Sequence, residues 1–504
     1  MRPHYRLALF FALCLAPCTH AAVSLPAESS VLATETSGPA AEALEAFQDG
    51  RHVKAVELAK PLADQGNADA LYLMGFAHET GQGIEASREM ALGYYRKAAD
   101  LQHKDAIYRL SFILLASEDA AERDQAREQL EKAAQDDPAV AGRILGEAYL
   151  RGLLGDEPDY DKTIFWWQRA SDAGDIPSIL LKARLHDGQF GFPEKTDPEK
   201  AIEAFGKAAG LGNPAAMVAI GSRLLNGPEN IRDEEKGREW LKKAIEEKEF
   251  SAYLALGDFE ENVRNDPKAA LAEYERGKDA GQIDCILRAA EFYLEGIGTD
   301  KDVSRAINLL ENAARGGSPI AHFRLAAHKL AGDAPDAAAG YGHLVSAANG
   351  GLIEAQNELG LLYLSGRLAV ADVPAAVAWF TRAAQAGSPQ AQNNLAALYE
   401  QGAGVPQNFE NAGQLYSMAA NQGHPAATLA LARFHANGMG TEQNLPKAWA
   451  LASLASERGD ENAPGILEEI TALLDDAQKD EARKTLEDIK SGKPAAAAAD
   501  DSDD

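Results

Sequence analysis

The sequence repeats itself about every 36 residues, and that period constrains the fold more than any other feature. With one small residue taken as the marker of each copy, the series runs Ala70, Ala106, Ala141, Pro177 or Ser178, Ala216, Ala252, Cys285, Ala321, Ala355, Ala391, Ala427 and Ala463. Counted through Pro177, successive markers stand 33 to 39 residues apart. Self-similarity at such a period marks an array in which each copy is one supersecondary unit. No copy can bury its apolar face alone, so it must stack on its neighbours.

The copy that starts at Ala391 shows what the unit is. Leu395, Leu398 and Tyr399 fall three or four residues apart, on one side of a helix that also carries Ala391 and Ala396. Gly402 ends that helix and Gly404 lets the chain turn back. Ala412, Leu415, Tyr416, Ala419 and Ala420 then repeat the helical spacing. The turn recurs at Gly81 and Gly83, at Gly296 and Gly298, and at Gly438 and Gly440, while the units that start at Ala106 and Ala321 have lost it. Second helices pair small residues with bulky rings, as at Tyr94-Tyr95, Phe165-Trp166-Trp167, Phe205 and Trp379-Phe380. The expected fold is therefore all-α, an α-solenoid of about a dozen helix pairs.

The ends of the chain follow different rules. Residues 1–22 carry Arg2 and Arg6, an apolar run from Leu7 to Ala16, and small residues up to Ala22, which reads as a signal peptide. A second reading makes Leu15-Ala16-Pro17-Cys18 a lipoprotein box with Cys18 lipidated, although Pro17 departs from that motif. Residues 23–39 read as a flexible spacer, 40–69 as a degenerate capping helix pair, 70–462 as the repeat array and 463–490 as capping helices. Residues 491–504 end in KPAAAAADDSDD and read as a disordered acidic tail. The expected location is the periplasm or the exterior, with an outer-membrane lipoprotein as the alternative.

Charge and chemistry narrow the function. A formal net charge of −28 argues against nucleic acid or anionic lipid as the partner and leaves other proteins. Peripheral membrane association is expected only if Cys18 is lipidated. The glycine turns follow helices, so they are not dinucleotide loops, and no phosphate-loop, HExxH or EF-hand motif is present. His78, His186, His322, His328, His343 and His435 are scattered over different units, and no metal or cofactor is expected. Cys285 stands where other copies place alanine, as a small buried residue would. The remaining candidates are amides and rings. Gln356 and Asn357, with Gln392, Asn393 and Asn394, can either pair with the backbone of an extended peptide or brace neighbouring helices. Of Trp166 and Trp167, one ring is expected in the core, and the other either packs against the next unit or stands out as an anchor for a partner.

The pattern A-x-x-x-L-G/A-x-x-Y-x-x-G-x-G, followed by K-A-x-x-W/Y-Y/F-x-K/R-A-A and a closing G-x-x-x-A, resembles the Sel1-like repeat family. The resemblance runs from about Ala70 to Asp460. It implies a right-handed superhelix related to the tetratricopeptide solenoids, without catalytic activity, that binds other proteins along its concave side. Exported members resemble envelope adaptors, which makes an outer-membrane-associated scaffold for exopolysaccharide secretion of the alginate type a second expectation. A hydrolase of cell-wall or polysaccharide material, with carboxylates in the groove, is the third.

Overall fold

The computed structural model describes residues 38–155, 157–331, 336–367 and 371–491. The expected signal peptide, Cys18, nearly all of the spacer, and the acidic tail beyond Ser491 lie outside the described residues. Among the described residues every regular element is a helix, and the chain divides into two compact units that meet in sequence at Asp266 and Pro267.

The first unit opens with α1 (Ala41–Gln48), α2 (His52–Asp64), α3 (Ala68–Thr80), α4 (Arg88–Asp100), α5 (Lys104–Leu115) and α6 (Ala120–Asp136). It continues with α7 (Pro138–Leu150), α8 (Tyr160–Asp172) and α9 (Ile176–His186), then a short 3-10 turn at Pro193–Lys195. Four helices complete it: α10 (Pro198–Gly210), α11 (Pro214–Asn226), α12 (Glu234–Glu246) and α13 (Ala252–Asn262). The second unit opens with α14 (Pro267–Asp279), α15 (Ile283–Glu295), α16 (Val303–Arg315), α17 (Pro319–Ala331) and α18 (Ala337–Asn349). The regular copies follow as α19 (Ile353–Ser365), α20 (Val373–Gln385), α21 (Pro389–Gln401) and α22 (Phe409–Asn421). The unit ends with α23 (Pro425–Asn437), α24 (Leu445–Glu457), α25 (Ala463–Leu473) and α26 (Asp476–Lys490).

Each unit is a stack of helix hairpins, the α-solenoid that the repeat requires. Helices pair as α3 with α4, α7 with α8, α19 with α20 and α21 with α22, and each second helix packs on the first helix of the next copy. The marker residues explain the stacking. With Ser178 in place of the exposed Pro177, all twelve markers are fully buried at 0% exposure. The marker is not the first helical residue: Ala70 is the third residue of α3, and the Asn67 side chain caps its backbone N–H at 2.9 Å. The methyl group therefore enters the interior three positions past the cap, at the residue whose N–H the cap accepts.

Two glycine positions set how closely helices approach. A Cβ on Gly146 of α7 would lie 2.4 Å from Cδ1 of Trp167 on α8, and one on Gly360 of α19 would lie 2.6 Å from Phe380 on α20. The bulky ring of each second helix thus occupies the space where its own first helix has no side chain. At the turn, Gly440 takes φ 64°, and a Cβ there would sit 2.7 Å from the backbone of Phe409 at the start of α22. Its absence lets the turn of one copy rest on the preceding copy.

A second periodic device sits at the start of the second helices. Asp302, Asp336, Asp372, Asn408 and Asn444 precede the second helices, and each side chain accepts an N–H from the third helical residue at 2.8–3.1 Å. The backbone N–H of each cap donates at 2.8–3.0 Å to a carbonyl of the preceding first helix, as from Asp372 to Tyr363 and from Asn408 to Tyr399. The cap therefore starts one helix and staples it to the other.

Candidate partner-binding face

The amides of α19 and α21 divide by position. Gln392 on α21 is buried, at 1% exposure; its Nε2 donates to the carbonyl of Ala384 on α20 at 3.2 Å, and its Oε1 accepts from Nε2 of Gln422 at 2.9 Å. Gln356 on α19 repeats the first of these bonds, with Nε2 donating to Ala348 of α18 at 3.1 Å. Both glutamines are braces between consecutive copies. Asn357 is buried and accepts, through Oδ1, from Nδ2 of Asn394 at 3.0 Å, which ties α19 to α21. Asn394 and Asn393 are half-buried, and Asn393 has no hydrogen-bond partner among the described residues. Of the five amides, only Asn393 makes no bracing hydrogen bond among the described residues.

Charged ties also join first helices within each unit. Arg109 on α5 grips Glu79 of α3 with Nη2 to Oε1 at 2.7 Å and Nε to Oε2 at 2.8 Å, and Tyr95 donates its hydroxyl to that carboxylate at 2.6 Å. Tyr416 and Arg433 clamp Glu400 the same way, at 2.7 and 3.1 Å. Burial, followed by the neighbouring Glu79, raises the Tyr95 phenol above its ordinary range; burial and then Glu400 do the same to Tyr416. Both phenols stay protonated and act as donors. The two-pronged grip of Arg109 on Glu79, at partly buried positions, makes that tie directional. In α17, Arg324 reaches both the carbonyl of Leu287 at 3.1 Å and Glu291 at 3.4 Å on α15.

The tryptophan pair takes the packing alternative. Trp167 is fully buried and donates Nε1–H to the carbonyl of Arg143 at 3.2 Å, and Trp166 is also buried, at 8% exposure. Neither ring is an exposed anchor. The ring at the surface is that of Phe165, 52% exposed, which meets Trp166 edge-on at 5.1 Å under the Arg169 guanidinium. A second helix touches its own first helix and the neighbouring copies, so its buried arc is wide enough for two adjacent rings.

The histidines also differ from the expected scatter. His322 of α17 and His343 of α18 belong to one hairpin, with Nδ1 atoms 3.0 Å apart. No group of three or more potential metal ligands occurs among the described residues. A cavity of about 500 Å³ lies among α22, α23, α24 and α26, lined by Phe434, His435, Leu451, Arg458 and Ile489, with Glu410 as its carboxylate. Cys285 is buried at 0% exposure in the alanine position. No described helix is long and apolar enough to cross a membrane.

Stacked hairpins with a buried small marker, a glycine seat for a ring and amide or arginine ties between first helices define a helix-hairpin repeat protein. The chain belongs to the Sel1 repeat family, whose profile matches residues 68–103, 143–175, 184–213, 214–248, 283–318, 353–388, 389–424 and 425–460, more than half of its length. The longer unmatched stretches between these, 104–142, 249–282 and 319–352, hold the copies that start at Ala106, Ala252 and Ala321, none of which has the double-glycine turn.

Chitin synthase regulatory factor 3 of Schizosaccharomyces pombe is 28% identical over 281 residues, covering 54% of this chain and 26% of that protein. Chitin synthase regulator SKT5 of Saccharomyces cerevisiae is 25% identical over 256 residues, covering 47% of this chain and 36% of that protein. The chain thus spans about a quarter to a third of the length of these curated relatives. A Sel1 repeat protein from Oxalobacter formigenes is 26% identical in its crystal structure, covering 64% of this chain and 93% of that one, with a TM-score of 0.43. Sel1 repeat proteins generally act as protein-binding scaffolds, and their solenoid is typically non-catalytic.

Proposed function

We propose that this protein is a non-catalytic adaptor of the periplasm or cell exterior that holds partner proteins along the face lined by its first helices. One observation carries the reading. On that face, buried Gln392 and Asn357 and half-buried Gln356 brace the copies, which leaves Asn393 half-exposed with its amide unpartnered among the described residues. An amide both donates and accepts, so it suits the backbone of an extended segment whatever its side chains. Leu361 and Leu364 on α19 add apolar surface, at 37% and 36% exposure. Location rests on the residues of the N-terminal segment, with lipidation at Cys18 as the alternative.

Photo-crosslinking in the native envelope tests this. Probes at Asn393 and Leu361 are expected to capture the same protein, and probes at Met418 and Glu410 of α22 are expected to capture none. Capture only from α22 would overturn the reading. A second reading, a scaffold for a polysaccharide-making or polysaccharide-exporting assembly, is favoured by the names of the two fungal relatives, both regulators of a polysaccharide synthase. Under it, the captured protein is a membrane-bound glycan synthase or exporter, and capture of an unrelated protein rejects it.

A further inference from the structure

We propose that His322 and His343 form a binding site for one divalent transition-metal ion of the zinc, nickel and copper class. The two imidazoles project from consecutive helices of one hairpin, both half-buried, with ring centroids 5.2 Å apart and planes inclined by 40°. Their Nδ1 atoms are 3.0 Å apart. Two imidazole nitrogens held about 2.0–2.1 Å from one ion stand about 2.9 Å apart at a right angle and about 3.3 Å apart at the tetrahedral angle. The observed separation of 3.0 Å falls inside that interval, so an ion can enter with small rotations of two side chains whose backbones are fixed by helix packing.

In the metal-free chain the same contact is an N–H···N hydrogen bond between neutral rings, one donating and one accepting. Ion binding moves the shared proton from Nδ1 to the outer Nε2 of its ring, so a neutral pair takes up the ion without net proton release. Glu311 of α16 acts electrostatically on His343, so an acidic group bears on the site. Water or a partner's side chain completes the coordination.

Calorimetric titration of the full chain with Zn(II) and with Ni(II), in buffer without chelators near neutral pH, tests the site. One saturable site is expected. His322→Phe and His343→Phe, which keep a ring in each place, are each expected to weaken it at least about tenfold, or about 1.4 kcal/mol, with the circular dichroism of the native chain. A readout on the unaltered protein accompanies these variants: substoichiometric Ni(II) is expected to broaden the imidazole NMR signals of His322 and His343 before those of other histidines. Absence of saturable uptake, native affinity in both variants, or broadening confined to other histidines would overturn the proposal.

Discussion

Gln356 and Gln392 stand 36 residues apart and meet different surroundings. Gln392 has both ends satisfied, through Ala384 and Gln422, whereas Oε1 of Gln356 is buried without a partner. The residue one period before Gln422 is Ala386, whose methyl group cannot donate. Ala386→Gln is expected to supply that donor and raise stability by about 1 kcal/mol, read as a higher urea midpoint. An unchanged midpoint would show that Gln356 Oε1 is satisfied in solution by other means. The bracing role of these glutamines was one of two open readings of the sequence, because helical spacing places a side chain on a face without saying which neighbour meets it. Only the contact with Ala384 and Ala348 decides between brace and groove.

Helix pairs hold together where a ring of the second helix fills the place of an absent side chain on the first. Gly146 and Trp167 are the tightest such pair, since the missing Cβ would lie 2.4 Å from the indole. Gly146→Ala must push that ring off its seat, and a loss of about 1–3 kcal/mol is expected in thermal or urea unfolding. A neutral effect would mean that α7 and α8 slide apart at little cost. Helix α23 adds a pH term. Burial, then Lys447, lowers His435 from its ordinary 6.5 to about 4, against the opposing pull of a Glu442 hydrogen bond. The folded chain therefore binds this proton more weakly than the unfolded one. Its contribution is complete above pH 6.5, is lost as pH falls from 6.5 towards 4, and changes no further below that. On the order of 1–2 kcal/mol of acid destabilisation is expected after solvent screening, and His435→Gln should remove it from the pH dependence of melting. His186, His343 and His424 are shifted in the same direction.

At this scale the sequence was legible where periodicity speaks and silent where it does not. The helix pairs, the double-glycine turns with positive φ at Gly402 and Gly404, and the buried markers follow from spacing alone. The choice of Ser178 over Pro177 needed the cap at Asp175, whose side chain accepts from the Ser178 N–H at 2.9 Å. The pairing of His322 with His343 was missed, although their separation of 21 residues is the same as that from Gly146 to Trp167. Spacing within the hairpin, not spacing within a helix, was the signal for that contact.

In the whole molecule, each described unit draws its stability from contacts between neighbouring hairpins rather than from one enclosed core. Hairpins that depend only on neighbours of the same kind are interchangeable, so one complete period can leave the chain without opening the rest. Excision of residues 389–424 from the full chain is the direct measurement. It joins Ser388 to Pro425, which keeps a serine cap ahead of a proline at the first helical position and preserves the period. The shortened chain is expected to keep the mean residue ellipticity of the parent and to melt cooperatively, at a lower temperature. Loss of helicity well beyond that of the 36 deleted residues would contradict the account, because it would show that the hairpins serve a single indivisible core.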